Sequence, residues 1–232
     1  MDKRLSTVMG LALVFLGSMA MLFTLGLPFD GERGQTWRLW PLIVLTLGVV
    51  AGLIPFVVRQ RWAGALFIPA APILATGFIL LQASLFNQWR VWTQWWPLEV
   101  LALAVGFAGA AIYMHLVWLV IPAIMIGANG AILMFCALTG QWSTWRVLWT
   151  LEPLAVGVSL LVVGALKRTV PLVFAGVIVS GLSGLALIGM LSIFAGEWPI
   201  VRWLGPLSLI ALGAALLAWN LIGARKKSAV AQ

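Results

Sequence analysis

Charge is scarce in this chain. Asp, Glu, Lys and Arg make up 9% of its 232 residues, where a soluble domain carries about 25%. Apolar side chains fill the gap, at 63%. No soluble fold of this length hides so much apolar surface, so the expected solvent is lipid. The single cysteine, Cys136, excludes an internal disulfide and any Cys-based metal spacing. The single histidine, His115, excludes bis-histidine haem ligation. No ionisable residue falls at the middle of an apolar run, which leaves no proton relay or coupling-ion site at mid-depth. No nucleophile–base pair can be assembled. The chain is therefore expected to be no enzyme, with no cofactor and no metal.

What is present is a repeat. A prolyl-leucine pair occurs at Pro41-Leu42, Pro97-Leu98, Pro153-Leu154 and Pro206-Leu207, at intervals of 56, 56 and 53 residues. Each pair follows a Trp-rich segment with one Arg and precedes an apolar run. A fixed period of this size marks one copied structural unit. A spanning helix needs about 20 apolar residues, and eight candidates are read: about 5–27, 40–58, 62–86, 96–113, 116–138, 151–166, 170–194 and 204–223. The predicted fold is all-α: one membrane domain of four tandem, like-oriented hairpins. The units cover about 5–58, 62–113, 116–166 and 170–223, and a short basic tail follows at 224–232. The odd segments are long and the even ones short, so the odd ones are expected to tilt.

Charge sets the orientation. The N-terminus, the turns after the second, fourth and sixth segments and the C-terminus hold nine Lys or Arg and one acid, Asp2, a net +8. The opposite side sums to zero: five Arg against Asp30, Glu32, Glu99, Glu152 and Glu197. By the positive-inside rule both termini are cytoplasmic, in a bacterial inner membrane. Lys3 and Arg4 ahead of an apolar stretch resemble a secretory signal. The stretch is longer than a signal core and fills the first slot of the repeat, so an uncleaved anchor is expected. Basic residues scattered in short turns are topology signals and suit anionic lipid heads. Nucleic acid is not an expected partner.

Residues 68–89 and 121–142 share 11 of 22 positions without gaps. Eleven of the fourteen Trp fall on the outer side. An aromatic belt accounts for such residues, and a platform for a lipid, a pigment or a partner protein accounts for their asymmetry. The candidate lipid- or partner-binding residues are Trp89, Arg90, Trp92, Trp145, Arg146, Trp149, Trp198 and Arg202. A guanidinium among indoles can bind a phosphate bidentately or be neutralised by a nearby Glu. Segments 87–96 and 139–150 are long enough to lie along the interface.

The polar residues of the apolar runs form a second candidate set, a polar path through Gln82, Glu99, Asn129 and Glu152. Glu99 and Glu152 adjoin the anchor prolines, where a helix N-terminus also favours negative charge. Asn129, aligned with Thr76, and Gln82 also suit hydrogen bonding across helices. Gly48 and Gly52 form a GxxxG pair, and Gly176 and Ser180 lie among further small residues of the seventh segment. Pro69, Pro72 and Pro122 are expected to kink their helices.

The stretch MGLALVFLGSMAMLFTL, a polar turn and TWRLWPLIVLTLGVVAGL, from Met9 to Leu53, resembles the two-helix membrane module of bacterial Lia-type (LiaI/LiaF-like) envelope-stress proteins. Trp37, Arg38, Trp40, Pro41, Leu42 and Gly48 carry the resemblance. It implies a non-enzymatic module that anchors, oligomerises and passes envelope state to partners. This chain lacks the soluble sensor domain. The expected function is a non-catalytic scaffold or subunit of a larger membrane complex, with membrane lipids and other membrane proteins or itself as partners. The alternative is a small-molecule or lipid transporter or channel. A transport path would line a cavity with Gln82, Asn129 or the two Glu, whereas a scaffold would close them against neighbouring helices.

Overall fold

The computed structural model describes residues 36–194 and 203–211, with Gly213 and scattered positions between Ser6 and Met21. The predicted segments 5–27 and 204–223 and the basic tail lie largely or wholly outside the described residues. Every described element is helical. The helices are α1 (Pro41–Val58), α2 (Phe67–Leu85), α3 (Val91–Trp95), α4 (Pro97–Met114), α5 (Val120–Thr139), α6 (Trp145–Leu148), α7 (Leu151–Lys167) and α8 (Val170–Phe194). Short 3-10 turns at Arg61–Leu66 and Val117–Leu119 lead into α2 and α5.

Five helices are long and apolar enough to cross a membrane: Pro41–Val58, Arg61–Leu85, Pro97–Met114, Val117–Thr139 and Val170–Phe194. A sixth arises if Trp142–Leu148 and Leu151–Lys167, bent by 48°, count as one span. The chain is thus a multi-pass helical membrane protein.

The sequence explains the helix ends. Pro41 and Pro97 open α1 and α4, where a missing N–H costs nothing. Asn87 and Gly140, aligned residues of the two similar copies, both take left-handed backbone just past α2 and α5, with φ of 52° and 70°. Glycine and asparagine are the residues that tolerate this. The second helix of each hairpin ends differently. Arg59, His115 and Arg168 cap α1, α4 and α7 in the left-handed region, with φ of 53°, 58° and 53°. These non-glycine residues keep positive or titratable groups at one end of the array.

The expected kinks at Pro69 and Pro122 do not form. The helices begin at Phe67 and Val120, so both prolines lie in the first turn, which has no intrahelical N–H bond to lose. Pro72 lies inside α2, and Pro55, not singled out beforehand, lies inside α1.

The spanning helices pack in chain order, α1 on α2, α2 on α4, α4 on α5, α5 on α7 and α7 on α8. The result among the described residues is a row rather than a closed bundle. Only 11–28% of each span is buried. The buried positions are mostly small, including Ala70, Ala75, Ala83, Ala104 and Ala110. This follows from the solvent: lipid gives apolar side chains no reason to leave it, so helices associate through close backbone approach. At the α1–α2 seam, a Cβ on Gly48 would sit 2.8 Å from Leu74, and one on Gly77 would sit 2.8 Å from Leu45. At the α4–α5 seam Gly130 receives Leu101, while the other pair is exchanged, with Gly127 now facing Ala104. Each leucine keeps a glycine opposite it.

One end of the row is tied together by Phe56, Phe67 and Tyr113. Their rings meet edge to face at centroid distances of 5.6–5.9 Å. Tyr113 also donates its hydroxyl to the Pro55 carbonyl, joining α4 to α1.

Candidate functional site

The two carboxylates of the candidate polar path each accept a hydrogen bond from the preceding long helix, Glu99 of α4 from α2 and Glu152 of α7 from α5. Thr76 Oγ1 donates to Glu99 Oε1 at 2.6 Å. The Asn129 amide donates to Glu152 Oε1. Both pairs are separated by 23 residues. Thr76 and Asn129 are aligned in the two copies, and each glutamate lies in the first turn of the returning helix. The sequence reading placed these residues singly and did not join them. The shared spacing of 23 was the signal that would have done so.

These bonds also fix the relative depth of the helices. Toward one end, Thr76 to Arg61 is 15 residues and Glu99 to Met114 is also 15, so these ends are level. Toward the other, α2 continues nine residues to Leu85 and α4 only two to Pro97. At 1.5 Å per residue the first helix overhangs the second by about 10 Å. The α5–α7 pair repeats the overhang, with ten residues from Asn129 to Thr139 against one from Glu152 to Leu151, while at the other end Glu152 to Lys167 is 15 residues and Asn129 to Val117 is 12. The surplus length of the odd segments appears at the Leu85 and Thr139 ends as overhang.

The connecting Trp/Arg segments therefore do more than run across the surface. From the overhanging tip, α3 returns alongside α2 and also packs on α5, and α6 packs on α8. No extended residue separates α3 from α4: Trp96 ends one and precedes the other with helical φ and ψ of −54° and −29°.

Trp89 and Trp149 are 47% and 42% exposed, Arg90 and Arg146 are exposed, and Trp92 and Trp145 are half-buried. Trp198 and Arg202 lie outside the described residues. Neutralisation of these arginines by a nearby Glu is not what the structure contains. Glu99 and Glu152 face Thr76 and Asn129, and no ion pair forms among the described residues. The Arg146 guanidinium instead lies 5.5 Å from the centre of the Phe194 ring, a cation–π geometry. Arg90 has no such partner.

Gln82, of the polar-path residues, lines a cleft. A cleft of about 230 Å³ between α2 and α3 is bounded by Phe78, Ile79, Gln82, Val91 and Trp95. Elsewhere, buried Ser84 donates to the Arg38 carbonyl at 2.7 Å, which fastens the first Trp/Arg segment to α2. Cys136 is fully buried, 3.8 Å from the Thr144 hydroxyl. His115 is exposed at its helix end. Among the described residues no three His, Cys, Asp or Glu come together as a metal set.

No protein-family model, characterised protein or solved structure matches this chain.

Proposed function

We propose that the chain is a non-catalytic scaffold, or a subunit of a larger complex, in a bacterial inner membrane. It would cross eight times as four like-oriented hairpins, with both termini cytoplasmic by the charge split of +8 against zero. The observation that carries this reading is the open row among the described residues, in which at least 72% of each of the five spans remains unburied. Such a row presents two long apolar faces for helix-to-helix association. The polar groups support the same reading. Glu99, Glu152 and Asn129 bond between neighbouring helices. Anchoring and oligomerisation are also what the resemblance of residues 9–53 to Lia-type modules implies. The outer Trp/Arg segments, held in place by the overhang, are the proposed face for lipids and partner proteins.

The test is chemical cross-linking in intact membranes followed by mild-detergent extraction of the full chain. A scaffold gives stable adducts with itself or with other membrane proteins. Changing Trp89 and Trp145 together to Leu should reduce them while insertion is preserved. A chain that stays monomeric and uncross-linked refutes the reading. The second reading, a lipid or small-molecule transporter, is favoured by one observation, the cleft at Gln82. Flux across liposomes containing the purified chain alone would decide for it.

A further inference from the structure

Two polar side chains on the second hairpin, Gln82 and Arg90, have no side-chain partner among the described residues. The Gln82 amide is half-buried in the wall of the α2–α3 cleft and makes no side-chain hydrogen bond among the described residues. Arg90, which directly precedes the cleft residue Val91, makes no ion pair or ring contact among them. An amide in an apolar wall is unfavourable until it is hydrogen-bonded, and a guanidinium matches a phosphate with two parallel N–H donors.

The cleft has the size and lining for part of a chain molecule. Its volume of about 230 Å³ is below the roughly 300–1,000 Å³ of sites that enclose a whole small molecule. Phe78 and Trp95 on its rim are 44% and 40% exposed, open on the lipid side. Gln82 is six residues outward of Thr76, about 9 Å, in the overhanging part of α2 just above the level where α4 begins. With the level ends at one boundary of a hydrocarbon core of about 30 Å, Gln82, 21 residues from Arg61 or about 31 Å, comes to the headgroup level on the other side.

We propose that this cleft holds one phospholipid molecule. Its phosphate lies on Arg90, an ester carbonyl accepts from the Gln82 amide, and the start of one acyl chain lies against Phe78, Ile79 and Trp95. The proposal rests on the outward placement of the Trp/Arg segments given above. The third hairpin shows why the site occurs on one copy and not on its neighbour. Phe135 stands at the position aligned with Gln82, and Arg146 is already engaged with Phe194. Neither polar contact is on offer there.

The experiment is native mass spectrometry of the full purified chain after exchange into detergent containing dioleoyl phosphatidylglycerol, with dioleoyl glycerol as the phosphate-free control. The wild type should retain one phosphatidylglycerol and no diacylglycerol. Arg90→Gln and Gln82→Phe should each reduce retention about tenfold, as expected for one charge-assisted or one buried hydrogen bond. Arg146→Gln should leave it unchanged. Gln82→Phe installs the residue the third hairpin already carries, so a folded variant is expected, and its circular-dichroism melt checks this. The proposal is overturned if the wild type keeps no lipid, if Gln82→Phe folds and keeps as much, or if Arg146→Gln loses as much as Arg90→Gln. Failure of the scaffold reading is a separate outcome, because lipid retention by the purified chain needs no protein partner.

Discussion

Replacing Asn129 tests whether the paired carboxylate bonds hold the hairpins in register. Asn129 donates to Glu152 from a half-buried position on α5. Asn129→Ala removes the donor and leaves a carboxyl oxygen facing apolar neighbours. Orphaning a buried acceptor costs about 1–3 kcal/mol in soluble proteins. Within membranes, coupling measured across helices averages about 0.6 and reaches about 1.7 kcal/mol, because the separated helices also find partners. Glu152 sits in the first turn of α7, near the outer boundary, so water can relieve part of the loss. The expected cost of Asn129→Ala is therefore about 1–2 kcal/mol. Glu152→Ala should cost a similar amount. The double variant should fall short of the sum by about 0.6–1.7 kcal/mol. Asn129→Thr should recover more than half of the loss, since Thr76 performs this task in the preceding hairpin. Unfolding of the purified chain in bicelles by increasing mole fraction of SDS, followed by circular dichroism, measures each term. If the two single changes add within about 0.3–0.5 kcal/mol, and Asn129→Thr behaves like Asn129→Ala, the bond does not hold the register.

Three further outcomes are expected. A Cβ on Gly106 would meet the Phe67 carbonyl oxygen at 2.5 Å and Ile68 Cα at 2.9 Å; both are backbone atoms, so Gly106→Ala should destabilise by about 1–3 kcal/mol in the same assay. Arg59→Gly and Arg168→Gly relieve a left-handed non-glycine cap and should each raise stability by up to about 1 kcal/mol; an unchanged or lower value would show that the arginine side chain holds that end. Reporter fusions should read cytoplasmic at Gln60 and external at Thr144, and a cytoplasmic signal at Thr144 would overturn the orientation.

Several features were legible because they are local. Apolar run length gave five spans, at 40–58, 62–86, 96–113, 116–138 and 170–194, while 151–166 counts only when joined to Trp142–Leu148 across the bend, and proline before an apolar run gave the starts of α1 and α4. The kinks failed for an equally local reason. Pro69 and Pro122 were counted inside helices whose first residues are in fact 3-10 turns, and a proline's effect depends on which turn it occupies. What could not be read was whatever depends on two helices at once. The sequence offered two natural roles for Glu99, a helix N-terminus and a polar path, and neither names Thr76. The choice between closed and open packing was equally hidden. Ala and Gly mark where helices touch, yet the same residues serve a bundle or a row.

The repeat's unequal hairpin is the feature from which the outer face follows. A first span of 25 residues, such as Arg61–Leu85, is about 37 Å long, and a second span of 18, such as Pro97–Met114, about 27 Å. The hydrocarbon core is about 30 Å. Were the two bound at mid-length, the excess would divide between both sides and the loops would be alike. The Thr76–Glu99 bond instead levels the inner ends and sends the excess outward. The connecting segment then has to descend beside the overhang, which places Val91 and Trp95 against α2 and opens the cleft at Gln82. The inner turns, with no excess to absorb, are short and end on capping residues such as Arg59 and Arg168. In the second and third helix pairs such a hydrogen bond thus accounts for the aromatic segment at one end and the compact turn at the other. Breaking it should loosen the Trp/Arg face before it loosens the inner turns. Hydrogen exchange of Asn129→Ala measures this: protection should fall first in residues 139–150, and a first loss at 167–170 would contradict the scheme.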